Sequence, residues 1–286
     1  MRIPPYWTKG YYSAEEAHGK KLSFSAWGWS FDSLEAAQED GAARARRIFD
    51  YVTNQQKPDT YDYLEHPLRE EIVESIEHDS KQTAVITRNR YGALILNCTS
   101  VCFVDIDFPV PKHLGFWAGI RWVFSSKKTK TQQDTQEGAI KAVADWSGQN
   151  PKRSFRLYQT AAGLRLLFTD RTYDPVSSEV GDLFKTLGSD VLYQKLTFKQ
   201  ACFRARLTPK PWRCGCQRPP HDYPRESTEK QQRYARWIQE YESKSRFYGI
   251  CRLIHTFGAD TQDEVIRDVI TRHDTYACCN SGKPLA

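Results

Sequence analysis

No apolar run in this chain approaches the roughly 20 residues that a membrane-spanning helix needs, and Met1-Arg2-Ile3-Pro4-Pro5 carries no apolar signal segment. The reading is therefore a cytoplasmic protein with no membrane partner. Internal repeats and low-complexity tracts are also missing, and no linker cleanly divides the chain. Acids are absent from one long stretch: Lys195, Lys199, Arg204, Arg206, Lys210, Arg213 and Arg218 follow one another without an intervening carboxylate. In a chain with 41 basic and 35 acidic residues, that local run matters more than the net +6, and it suits a polyanionic partner. Missing too is a second cysteine pair to complete a zinc site with Cys214, Cys216 and His221, whose spacing is tighter than the usual two-residue gap. The eight cysteines lie mostly in apolar contexts, where they read as small hydrophobes in a reducing compartment.

What is present is a chain of 286 residues, 40% hydrophobic, long enough for one large domain or two modest ones. Leu22 to Trp29 reads as a strand, and Asp32 or Ser33 caps a helix to about Val52 with Leu34, Ala37, Ala45, Ile48, Phe49 and Val52 on its apolar stripe. Leu68, Ile72, Val73 and Ile76 have helical spacing. Residues 83–87, 92–96 and 101–108 read as a three-stranded meander, and the lysine-rich 125–133 as a loop before a helix to Trp146. Residues 155–160 and 164–169 read as strands, 176–187 as a helix ending at Gly188, and 202–207 as an alternating strand. Helices are expected over 227–240 and 246–257, then one opened by the capping box Thr261 to Glu264. His113 reads as a loop residue, and Trp27, Trp29, Trp212 and Tyr223 as core aromatics ahead of base-stacking platforms.

Cys102-Phe103-Val104-Asp105-Ile106-Asp107-Phe108-Pro109 sets two acids into an apolar run. On a strand, Asp105 and Asp107 share one face and Val104, Ile106 and Phe108 the other. Two like charges this close need either solvent or a cation between them, and Mg²⁺ or Mn²⁺ is the natural partner for such oxygens. A strand end at which both acids reach water is the plainer reading of that pair alone.

Three separated runs carry a resemblance. Phe103 to Phe108 resembles motif I of the archaeo-eukaryotic primase superfamily, an apolar strand ending in Asp-x-Asp or Asp-x-Glu. Gly163-Leu164-Arg165 falls where that family has a small residue, any residue and histidine. Asp190 with Tyr193, then Cys202-Phe203-Arg204, looks like motif III. The likeness spans roughly residues 80 to 210, and Arg165 departs from it by standing where the histidine is expected.

Read along its length, the chain divides into one α/β unit over residues 1–225 and a helical C-terminal region over 226–286; the resemblance implies that the first is an α+β, primase-polymerase-like catalytic unit with an RRM-like sheet. It implies Asp105, Asp107 and Asp190 as ligands of Mg²⁺ or Mn²⁺, and template-directed nucleotidyl transfer with nucleic acid, DNA first, and nucleoside triphosphates as partners. Arg165, Arg204 and Arg206 would hold phosphates, with Lys195, Lys199, Lys210 and Arg213 as weaker polyanion contacts. Two alternatives stand beside it: a module of the same fold that binds nucleic acid without chemistry, favoured by Arg165, and another Asp-x-Asp metal enzyme such as a nucleotide-sugar transferase or a nuclease.

Overall fold

A computed structural model describes residues 1–15, 19–53, 66–108 and 130–286, the side chains of 130–134 excepted. His113 and the 125–129 part of the lysine-rich stretch lie outside the described residues. The N-terminal unit is a hairpin and a helix. β1 (Tyr6–Glu15) and β2 (Lys21–Ser30) pair antiparallel with Trp7 opposite Trp29. α1 (Leu34–Thr53) starts where Ser33 Oγ accepts the Ala36 N–H at 3.1 Å. It buries Ala37, Gly41, Ala45 and Phe49, one residue per turn. The helix lies so close to the hairpin that a Cβ on Gly28 would sit 2.0 Å from the Ala37 carbonyl oxygen, so only glycine fits there. Leu34, Ile48 and Val52, read as part of the same apolar stripe, are exposed.

Two four-stranded sheets follow, and every strand pairing in them is antiparallel. One has the order β3-β4-β5-β9, from Glu71–His78, Lys81–Arg88, Leu94–Cys98 and Phe203–Arg206. The other has the order β10-β7-β8-β6, from Cys251–Phe257, Phe155–Thr160, Gly163–Phe168 and Phe103–Asp107. The helices after α1 are α2 (Lys130–Gln149), α3 (Ser178–Thr186), α4 (Val191–Gln200), α5 (Thr228–Ser245) and α6 (Glu264–Tyr276). This is an α+β protein. Among the described residues no helix is long and apolar enough to cross a membrane.

Several sequence expectations change. The stretch around Ile72 and Ile76 is strand β3, joined to β4 through Asp79 and Ser80, both at positive φ as a two-residue hairpin turn requires. Residues 251–257 are strand β10. Both strands carry an extra residue at a register shift, between Ile72 and Glu74 in β3 and between Leu253 and His255 in β10. Each shift breaks the two-residue period and leaves an apolar spacing that mimics a helix. The meander is not formed either: β6 leaves β5 and pairs with β8 in the other sheet. The last helix is capped by Asp263, which accepts from Ile266 N at 3.0 Å, while Thr261 instead accepts the Asp263 N–H.

One core joins the two sheets and their helices, with Phe103, Leu157, Leu166, Phe168, Phe184 and Phe203 fully buried. Cys98, Cys102 and Cys202 are buried small hydrophobes, and all eight cysteines are free.

Candidate functional site

Strand β6 emerges from the core at its C-terminal end: Phe103 and Val104 are buried, Asp105 is part-exposed and Asp107 is exposed. Opposite Asp107 in the ladder lies Gly163, where a Cβ would come within 1.9 Å of the Ile106 carbonyl oxygen. The small residue of that run is thus a packing requirement beneath the acids. Asp190 comes to the same strand by tertiary contact. Its N–H donates to the Asp105 carbonyl at 3.0 Å, and Ser189 Oγ donates to the same oxygen at 3.1 Å.

Asp190 is the N-cap of α4, where Oδ1 accepts the Tyr193 N–H at 2.7 Å. Tyr193 ties the region together. Its hydroxyl donates to the Phe103 carbonyl at 2.9 Å and accepts the Arg204 N–H at 3.4 Å, so it stitches β6 to β9. Although Asp107 is exposed as a residue, partial desolvation of its carboxyl by the surrounding chain, then the negative charges of Asp190 and Asp105, hold that carboxyl above its usual range against the pull of Lys210 and Arg213.

Three cations near this end of the strand influence one another. Burial, then the charge of Arg165, brings Arg206 down to about 10. Burial with Arg206 and Arg213 beside it brings Lys210 down to about 8. Burial and Arg206 bring Arg213 down to about 9. Arginine keeps its proton in proteins, so for Arg206 and Arg213 these displacements reflect the cost of burial and of neighbouring positive charge rather than loss of the proton. Lys210 and Arg213, the weaker phosphate candidates in sequence, both act electrostatically on Asp107.

Two of the expected phosphate ligands are committed elsewhere. Arg165 sits across the ladder from Asp105 and grips both of its oxygens, at 2.7 and 3.1 Å. Its Nη1 also donates to the Arg206 carbonyl at 3.0 Å and lies 3.4 Å from His273 Nε2. Arg204 forks onto Glu70 at 2.8 and 3.0 Å, in a buried network where Thr87 donates to Glu70 and Asn97 to Thr87. Arg204 thus does not flank the acid cluster with Arg165. The partner that claims it lies 134 residues earlier, which no local pattern discloses.

Sequence reasoning also missed what stands behind Arg165. Cys251, His273 and Cys279 form, among the described residues, the one set of three metal-capable side chains whose ligand atoms all lie within 4.8 Å of one another. Cys251 Sγ is 3.4 Å from Cys279 Sγ and 3.7 Å from His273 Nε2, and His273 Nδ1 faces Asp274 at 3.0 Å. The hydrogen bond with Cys279, then His273 and Arg165, holds the Cys251 thiol well below its usual value in spite of burial. Thiol and imidazole ligands suit zinc, not Mg²⁺ or Mn²⁺. The separations along the chain, 22 and 6 residues, match no familiar metal motif.

The carboxylates of Asp105, Asp107 and Asp190 are spread more widely than that set. Hard oxygen ligands fit Mg²⁺ or Mn²⁺, and Asp107, the acid least compensated by its neighbours, would gain most from one. Comparison with profiles of protein families, with curated proteins and with solved structures finds no match for this chain.

Proposed function

We propose that this chain is a metal-dependent nucleotidyltransferase of the primase-polymerase type, joining nucleoside triphosphates on a nucleic-acid template, DNA first. The observation that carries the proposal is that Asp190 bonds to the strand of Asp105 and Asp107, which gathers the three acids, with Lys210 and Arg213 acting on Asp107 beside them. Asp107 and Asp190 hold Mg²⁺ or Mn²⁺, and Asp105 contributes what its pairing with Arg165 leaves. Bound there, the ion would neutralise charge on the attacking and leaving oxygens of the phosphoryl group. Lys210 and Arg213 take the triphosphate oxygens, which relieves their mutual repulsion and orients the leaving pyrophosphate. Arg165 positions Asp105 and does not itself reach the nucleotide.

A second reading has one observation in its favour. Because Arg165 already neutralises Asp105, a module that binds nucleic acid without catalysis would look the same on that side of the site. Incubation with a primed template, labelled nucleotides and Mn²⁺ separates the two. Incorporation by the parent, lost in Asp107→Asn and Asp190→Asn, is the expected result. Asparagine caps a helix as well as aspartate does, so α4 survives the second change. Strand binding without incorporation on any template would give the answer to the non-catalytic reading.

A further inference from the structure

Three side chains that the chain keeps far apart meet in the core behind Arg165. Cys251 opens strand β10, His273 lies in the last turn of α6, and Cys279 follows that helix. All three are at most 2% exposed. A buried cysteine ordinarily serves as a small hydrophobe. Cys251 and Cys279 instead turn their sulfurs toward each other and toward an imidazole.

The separations fit a tetrahedral ion. Zinc bonds of about 2.3 Å to sulfur and about 2.0–2.1 Å to nitrogen place two sulfurs about 3.8 Å apart, and a sulfur and a nitrogen about 3.6 Å apart. Cys251 Sγ stands 3.4 Å from Cys279 Sγ and 3.7 Å from His273 Nε2. Both edges are thus within about 0.4 Å of the length that zinc requires. Among the described residues this is the one such set, so Cys214, Cys216 and His221 do not converge in the same way.

The histidine is prepared for the role. Its Nδ1 lies 3.0 Å from Asp274 Oδ1, and that carboxylate is held in turn by the Tyr158 hydroxyl at 2.8 Å and by Arg156 at 3.0 Å. A metal-bound imidazole commonly donates its other ring N–H to a carboxylate in this manner, which fixes the tautomer and leaves the Nε2 lone pair for the ion. The rings of Phe103 and Tyr158, centred 5.3 and 4.9 Å from that of His273, hold its plane. Two thiolates cancel the charge of a divalent ion. Arg165, which already grips both oxygens of Asp105, therefore meets a neutral centre.

We infer that Cys251, His273 and Cys279 bind one zinc ion, with water completing the four ligands, and that the ion clamps β10 to α6 and to the segment that follows it. Sulfur with imidazole selects zinc over the Mg²⁺ or Mn²⁺ suited to the carboxylates. Nothing in this inference rests on nucleotidyl transfer.

Cobalt substitution tests it. The full chain, stripped by a chelator under reducing conditions, should take up one Co²⁺ with the sulfur-to-metal charge-transfer absorption of thiolate ligands and the strong visible bands of a tetrahedral ion. Zn²⁺ should displace the Co²⁺ and raise the parent's urea midpoint. Cys251→Ser and Cys279→Ser should each weaken Zn²⁺ at least about hundredfold, and Asp274→Ala about tenfold or more. Cys278→Ser, at the neighbouring half-buried cysteine, should change neither affinity nor spectrum. Whether or not the serine variants fold, Zn²⁺ should slow alkylation of Cys251 and Cys279 in the parent more than that of Cys214 and Cys216, as mapped by peptide mass. A parent without charge-transfer absorption, protection centred on Cys214 and Cys216, or folded serine variants that keep the parent's spectrum would overturn the site. Primed-template incorporation by a chain that shows no cobalt–thiolate bands rejects the zinc site alone. Those bands in a chain that incorporates nothing reject the enzyme reading alone.

Discussion

Breaking the Asp105–Arg165 pair from either side should have unequal effects. Both contacts are short, but the Arg165 side chain is 3% exposed and that of Asp105 28%. Removing one partner of a fully buried pair costs about 3–5 kcal/mol, because the survivor is left as an uncompensated charge. In Arg165→Met the survivor is a carboxylate with access to water, so its share falls. Adding about 1 kcal/mol for the bond to the Arg206 carbonyl gives about 2 kcal/mol. In Asp105→Asn the survivor is a guanidinium sealed beneath the sheet, so the cost stays near the full figure, about 3 kcal/mol. The double variant should recover about 2 kcal/mol of the sum. Urea unfolding followed by tryptophan emission reads each value from the midpoint, at up to about 3 kcal/mol per molar. Equal losses, or a coupling energy below about 0.5 kcal/mol, would refute the pair as the determinant of Asp105's environment. The same reasoning makes Asp105 a poor position for testing chemistry, since its removal disturbs the fold, and makes Asp107 the better one.

Three further outcomes follow from the same geometry. Triphosphate affinity should be level near neutrality and fall above about pH 8, where unliganded Lys210 loses its proton, and calorimetry across pH should show Lys210→Arg abolishing that break. The sign for stability is opposite: because burial lowers this lysine from its usual 10.5, the unfolded chain holds more protons between about pH 8 and 10.5, and Lys210's contribution to folding improves as pH rises through that window. Gly28→Ala should cost about 3 kcal/mol or free α1 from its hairpin, seen as a lowered urea midpoint or new proteolysis within 34–53. Tyr193→Phe should cost about 1–3 kcal/mol in the same unfolding assay, since it leaves the Phe103 carbonyl and the Arg204 N–H without their shared partner.

Much of the architecture could be read from the sequence where local rules act alone. Ser33 capping, the strands of the 155–168 hairpin, the αL Gly188 after α3 and the shared face of Asp105 and Asp107 each follow from one residue's chemistry or a clean period. The period misled where a bulge interrupted it, in β3 and in β10, because one slipped residue turns alternation into apparent helical spacing. The destination of β6 was also hidden. Val101 to Val104 are buried throughout, so nothing in their pattern distinguishes a third meander strand from a crossing into the second sheet. In the site, the approach of Asp190 to Asp105 was anticipated from motif order, although a helix cap delivers it. The uses of Arg165 and Arg204 were not legible, because Asp105 and Glu70 claim them only once the chain has folded.

The central claim is that the acids around Asp107 and the cations around Lys210 form one site for a metal-bound triphosphate. Titrating Mn²⁺ into the protein with and without a nucleoside triphosphate, and following free Mn²⁺ by electron paramagnetic resonance, tests that claim most directly. Each ligand should raise the other's affinity by the same factor, as linkage demands. Asp107→Asn should lose the Mn²⁺ response, and Lys210→Met should lose the enhancement by triphosphate. Mn²⁺ affinity indifferent to triphosphate, or unchanged in Asp107→Asn, would contradict the account.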